Sequence, residues 1–242
     1  MPGTVIGKYL NHGFPGTVAE MGDQLVKAWS NQGDATMKFG EPVFYLTTGV
    51  GAVGSSGLAP TASIFHGIAV AHVQSANTYT AQNMGTYDQY KAVPVIERGA
   101  VSVQVNNTAT NAPAINGTAY VRIANGTTAK PVGGFEAAAD ATTYTATVTT
   151  QTSTSTSIVV SSVSNLAVGM TVSGTGIPTG AIITAINSST LTITISAAAT
   201  TTASSGTLTF GGNTIALTNC CWGSTADSNG VATLVVKTRN NA

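Results

Sequence analysis

Leu191-Thr192-Ile193-Thr194-Ile195-Ser196 alternates an apolar side chain with a hydroxyl at every step. Such a period of two sends one set of side chains to a core and the other to water, which suits a half-buried strand and not a helix. The surrounding runs Ser157–Ser161, Met170–Ser173, Ala181–Asn187 and Thr207–Phe210 read as further strands. Gly174-Thr175-Gly176-Ile177-Pro178-Thr179-Gly180 and Asn187-Ser188-Ser189 supply turns between them. From Ala141 to Ala226 there is no Asp, Glu, Lys or Arg, and residues 141–211 hold 21 Thr and 12 Ser. The stretch is composed as a surface, with almost no acid, base or cation, and it predicts a small autonomous β-module over 141–211.

Outward from it the same signals continue in charged sequence. Val43–Thr47, Ile64–Gln74, Ala92–Ile96, Ala100–Val105 and Ala119–Ala124 read as strands divided by Gly, Asn and Pro, and Thr233–Lys237 closes the chain's strand pattern. Asp227-Ser228-Asn229-Gly230 gives the turn before that last strand, and Trp222 opens a turn-rich link. Residues 17–32 fit either a helical face or a strand around Gln24–Trp29, and strand is the reading adopted. Residues 1–16, with Tyr9, Leu10 and Phe14 among Gly and Pro, read as an extended arm that must pack on something. The expected fold is all-β: a β-sandwich or barrel-like body of 1–140 and 212–242, with 141–211 inserted.

Composition narrows the function. Nine basic and nine acidic residues sum to zero charge, so no field gathers nucleic acid or an anionic membrane. No apolar run approaches a membrane span, and the N-terminal residues lack a secretory pattern, so synthesis in a cytoplasm is expected. The adjacent Cys220 and Cys221 could bridge only through a strained ring, and free thiols are expected.

The motifs that carry chemistry lack their context. Gly49-Val50-Gly51-Ala52-Val53-Gly54 follows a strand but precedes no helix and has no acidic residue about 20 positions on, so it reads as a hairpin loop and no cofactor is expected. His66 and His72 on one extended strand would stand about 20 Å apart, too far to share a metal ion, and no metal site is expected. No Gly-x-Ser-x-Gly elbow occurs. Glu97 beside Arg98, and Glu136 four residues before Asp140, read as surface ions and turn caps in preference to an acid/base pair.

Gly7-Lys8-Tyr9-Leu10 with Gly13-Phe14-Pro15-Gly16, Phe39-Gly40-Glu41-Pro42-Val43, Phe65-His66-Gly67-Ile68-Ala69-Val70, Val93-Pro94-Val95-Ile96-Glu97-Arg98-Gly99, Gly133-Gly134-Phe135-Glu136-Ala137 and Asp227-Ser228-Asn229-Gly230-Val231-Ala232 together resemble the structural cement proteins of tailed bacteriophages, over about 1–140 and 212–242. Gly169 to Pro178 and Gly206 to Phe210 are similar to a β-module of phage fibres and large bacterial surface proteins. The resemblance implies a noncatalytic decoration protein on the outer surface of the mature head. Its partners would be the major capsid protein lattice and itself, as a dimer or trimer, with Tyr9, Leu10 and Phe14 at a capsid or subunit interface. The alternative is a head fibre or adhesin-like module binding host-surface glycans.

Overall fold

The computed structural model describes residues 12–19, 22–71, 85–106 and 112–237. Among these every regular element is a strand. Before the uncharged stretch come β1 (Leu25–Ser30), β2 (Met37–Lys38), β3 (Pro42–Leu46), β4 (Gly49–Gly51), β5 (Phe65–Ala69), β6 (Thr86–Tyr87), β7 (Ala92–Gln104), β8 (Thr118–Arg122) and β9 (Phe135–Glu136). Within it lie β10 (Thr143–Gln151), β11 (Ser157–Val160), β12 (Thr171–Ser173), β13 (Ile183–Asn187), β14 (Thr192–Ile195) and β15 (Thr207–Gly211), and after it β16 (Thr214–Trp222) and β17 (Val231–Val236).

The larger sheet has nine strands in the order β4-β3-β5-β7-β17-β16-β8-β9, with β1 added on β7. It curls into a half-barrel, and β9 returns to the end of β7 through the parallel bridge Val105↔Phe135. The long β7 is its spine. Its first half pairs with β1 (Trp29↔Val93) and β5 (Ile68↔Ile96), and its second half pairs with β17 from Val236↔Gly99 to Val231↔Gln104. Gly99 stands at the change of partners with φ +126°, and a Cβ there would meet the Gln24 side chain at 3.0 Å. Only glycine accepts both conditions without strain.

Phe44, Phe65, Ile96, Val101, Phe135, Trp222 and Leu234 fill the main core of this sheet. A second cluster of Met37, Val43, Val50, Tyr87, Val93 and Val95 lies with β2 and β6, which pair as a two-stranded sheet of their own.

The smaller sheet draws all six strands from residues 143–211, in the order β12-β15-β10-β11-β14-β13. Its two ends meet, because Thr171 bridges Ile182, Val172 N–H donates to Ala181 O (2.8 Å) and Ile183 N–H to Met170 O (2.9 Å). Closure leaves no long free edge, which is how a charge-free β-structure avoids edge-to-edge pairing. In β14 Ile193 and Ile195 point inward while Thr192 and Thr194 are half-exposed, so the opening alternation does set the register.

Several sequence readings shift in detail. Ala92–Ile96 and Ala100–Val105 are one strand, since Glu97-Arg98-Gly99 stays extended. Gly49–Gly51, read as loop, is the short return strand of a hairpin with β3. β10 and β16 are strands that the sequence reading did not mark. Residues 25–30 are strand as adopted. His72 lies outside the described residues.

Candidate functional site

The described part of the N-terminal segment, residues 12–19, runs along β7. Gly16 N–H donates to Ser102 O (2.7 Å), Ser102 N–H to Thr17 O (2.8 Å) and Ala19 N–H to Ala100 O (2.9 Å). At its start His12 N–H donates to Asp227 Oδ2 (2.9 Å), and Ser102 Oγ donates to His12 O (2.6 Å). Burial alone would raise the Asp227 carboxyl, but backbone N–H groups of His12, Val231 and Asn229 hold it below the usual carboxylate range. The turn expected at Asp227–Gly230 is therefore also the clasp of the arm.

From this pinned segment Phe14 projects with 82% of its surface exposed. Thr17 N–H donates to Phe14 O (3.0 Å), so the aromatic residue sits on an ordered turn. Its chain neighbour Pro15, with Lys38, Phe39, Glu41, Val132 and Phe135 among others, lines a hollow of about 220 Å³. Burial pushes the Glu41 carboxyl up, against the opposing effect of its bond from Lys38 N–H. Tyr9 and Leu10, the other expected contact residues, lie outside the described residues.

The ionisable groups are mostly committed to structure. Glu97, read as a surface ion, is fully buried: it accepts from Trp29 Nε1 (3.0 Å) and lies 3.3 Å from His66 Nε2 and 3.9 Å from Lys27 Nζ. The rings of Trp29 and Tyr45 pack on His66 at 4.7 and 4.2 Å. Its neighbour Arg98 turns the opposite way to pair with Asp23, as alternation along a strand requires. Cys220 and Cys221 are free and buried, and burial raises the Cys220 thiol further. No cluster of metal-ligating side chains forms among the described residues.

Glu136 and Asp140 do come together, but on one guanidinium. Arg122 Nε donates to Glu136 Oε1 (2.5 Å) and Nη2 to Asp140 Oδ2 (2.7 Å), while Nη1 reaches the carbonyls of Ala124 and Asn125 (both 3.3 Å). Burial disfavours the Arg122 cation, and the two carboxylates outweigh it and raise its pKa. Burial likewise opposes the Asp140 carboxylate, but bonds from Thr142, Arg122 and Asn213 hold it far below the usual range. Asn106 Nδ2 (3.4 Å) and Lys130 Nζ (3.6 Å) complete the surroundings of Glu136. Both carboxylates are committed to one guanidinium, and the cluster fastens β8 to β9 and to the segment at Asp140. Glu136, read with Asp140 as a surface ion or turn cap, is buried, and the sequence did not point to Arg122, whose strand is separated from both by a loop.

A family model described as structural cement protein (E217 gp24/Pam3 gp6) matches residues 1–168. The match runs through β10 and β11 and stops before β12, so it reaches past residue 140 and does not include 212–242. No curated protein sequence matches the chain.

Proposed function

The chain belongs to the structural cement protein family of bacteriophages, and from that premise we propose that it decorates the outer surface of the mature capsid and stabilises the shell. It is a structural component of the virion, from a family that is not an enzyme family. The family match over 1–168 carries the reading. The ordered but exposed Phe14 supports it: an aromatic side chain left in water on a pinned turn is suited to burial against another protein, and little ordering entropy is lost when it docks. In this reading Tyr9, Leu10 and Phe14 meet the shell or a neighbouring subunit.

Residues 141–211 are taken as a unit inserted into a body of 1–140 and 212–242 and displayed away from the shell. Their sheet shares no ladder with the nine-stranded one. Their ends lie side by side, as Thr143 pairs with Gly211. Self-association as a dimer or trimer would multiply weak contacts across a repeating lattice.

Co-sedimentation with expanded heads tests the reading. Chain lacking 141–211 should stay folded and still pellet with heads. Loss of head binding by the full chain, with glycan or cell binding by the 141–211 segment alone, would replace it with the host-surface reading.

A further inference from the structure

We infer that the joint between the six-stranded unit and the body is locked, so that the unit is held at one fixed angle and does not swing on a flexible tether. This rests on reading 141–211 as an inserted unit; the lock itself is carried by tethers from different elements.

The first tether is the double crossing of the chain. Asn213 N–H donates to Asp140 O (3.1 Å) and Asp140 N–H to Thr214 Oγ1 (2.9 Å), so incoming and outgoing strands are tied to each other. Asn213 Nδ2 reaches Asp140 Oδ2 (3.2 Å) and Tyr144 Oη (3.3 Å), and Arg122 grips the same Asp140 from β8. Two adjacent strands alone would still permit rotation about their common line.

The second tether removes that freedom. Asn125, in the loop after β8, donates from Nδ2 to Asn165 O across the joint (2.9 Å) and to Asn213 Oδ1 (2.8 Å). The third is a close contact on another side, beside a hollow of about 430 Å³ that Pro60, Ile123 and Val168 help to line. Gly169, with φ +95°, lies so close to the body that a Cβ would stand 3.0 Å from Pro60 O and 3.1 Å from Ile123 Cδ1. Ile123 and Ala124 belong to the six-stranded unit's own core, and Val53 and Ile215 pack against both cores. A rigid body held at separated points by hydrogen bonds and by close packing has one orientation.

The lock gives the decorated shell a fixed outrigger: every copy would present the turn after β10, at the end of that strand remote from the Thr143 and Gly211 pair, at the same place relative to the lattice. The test uses spin labels on cysteines placed at Thr152, in that remote turn, and at Thr48, in the β3–β4 turn. Both positions are exposed, whereas Cys220 and Cys221 are buried. Pulsed dipolar distances in the otherwise unaltered full chain should form one narrow distribution. Asn125→Ala with Gly169→Ala should broaden it or shift its centre, with circular dichroism and cooperative unfolding retained.

Arg122→Met is a second, harsher route, read only if it folds. A broad distribution in the unaltered chain overturns the lock while leaving the insertion reading intact. A distribution equally narrow in the folded double variant shows that these tethers do not set the angle. Unfolding of the body on deletion of 141–211 would instead remove the insertion reading beneath the proposal.

Discussion

The two sheets are built by opposite means. The nine-stranded sheet buries charge: Arg122 and Glu136 have side chains 3% and 1% exposed, and His66 and Glu97 are wholly enclosed. The six-stranded sheet contains no charged residue, and its buried polar side chain is Gln151, whose Nε2 donates to Thr175 O (3.2 Å) and Thr201 O (3.0 Å). One region ties remote segments with ion pairs; the other relies on alternation and closure. A buried ion pair adds little net stability but is costly to halve, whereas an apolar core loses stability in proportion to the volume removed. The regions should therefore break differently.

The largest expected effect is at Arg122. Arg122→Met leaves Glu136 buried with Asn106 and Lys130 beside it and Asp140 without its guanidinium, and should cost about 3–5 kcal/mol. Urea unfolding should show the loss in the body's transition, with much of it restored by adding Glu136→Leu. A cost below about 1 kcal/mol would remove the contrast, since the charged region would then not depend on its ions.

In the uncharged sheet, Ile193→Ala opens a cavity in a core it shares with Ile158, Ile183 and Phe210 and should cost roughly 3 kcal/mol. Its mark is locality: the transition of 141–211 moves while that of the body holds. A single transition that moves as a whole would show the two regions to be one cooperative fold.

Part of the strand content of the two sheets was legible in advance. The β14 and β15 strands followed from alternation and the absence of charge, because in a half-buried sheet the two faces differ sharply in chemistry. β10 was not legible: Thr-Tyr-Thr-Ala-Thr-Val-Thr-Thr-Gln turns only Ala146, Val148 and Gln151 fully inward, a contrast too weak to read. β7 was read as two strands, ending at Ile96 and resuming at Ala100, yet Arg98 still pairs with Leu25 and Gly99 with Val236, so the chain changes partners there without a break. Phe14 stood out by its setting among Gly and Pro. The joint did not, since Arg122 meets Glu136 across 14 residues and Asn125 meets Asn213 across 88, and no local period encodes such pairings.

Acid should sharpen the contrast. Asp140 is held below its ordinary value when folded, so its contribution is fully present above the unfolded pKa of about 3.9 and is lost as pH falls toward the folded value. Asp227 acts in the same direction. Residues 141–211 contain no Asp, Glu, His, Lys or Arg. Thermal midpoints between pH 7 and pH 3 should therefore fall for the body and stay flat for the uncharged sheet, with Asp140→Asn showing a shallower fall. Parallel decline of both would mean that the joint, and not either core, sets the acid response.

The smallest effect on the isolated protein is expected at Phe14. Its side chain is 82% exposed and lies outside every apolar cluster, so Phe14→Ser should change stability by no more than about 0.5 kcal/mol. The backbone bonds that pin residues 12–19 use no part of that ring and should persist, which amide exchange at Gly16 and Ala19 can follow. On heads the same substitution should weaken retention in sedimentation, because the ring is the largest apolar surface the described arm leaves uncovered. A variant equal to the parent on heads would assign the arm to the body's own edge, and shell contact would then have to come from another face.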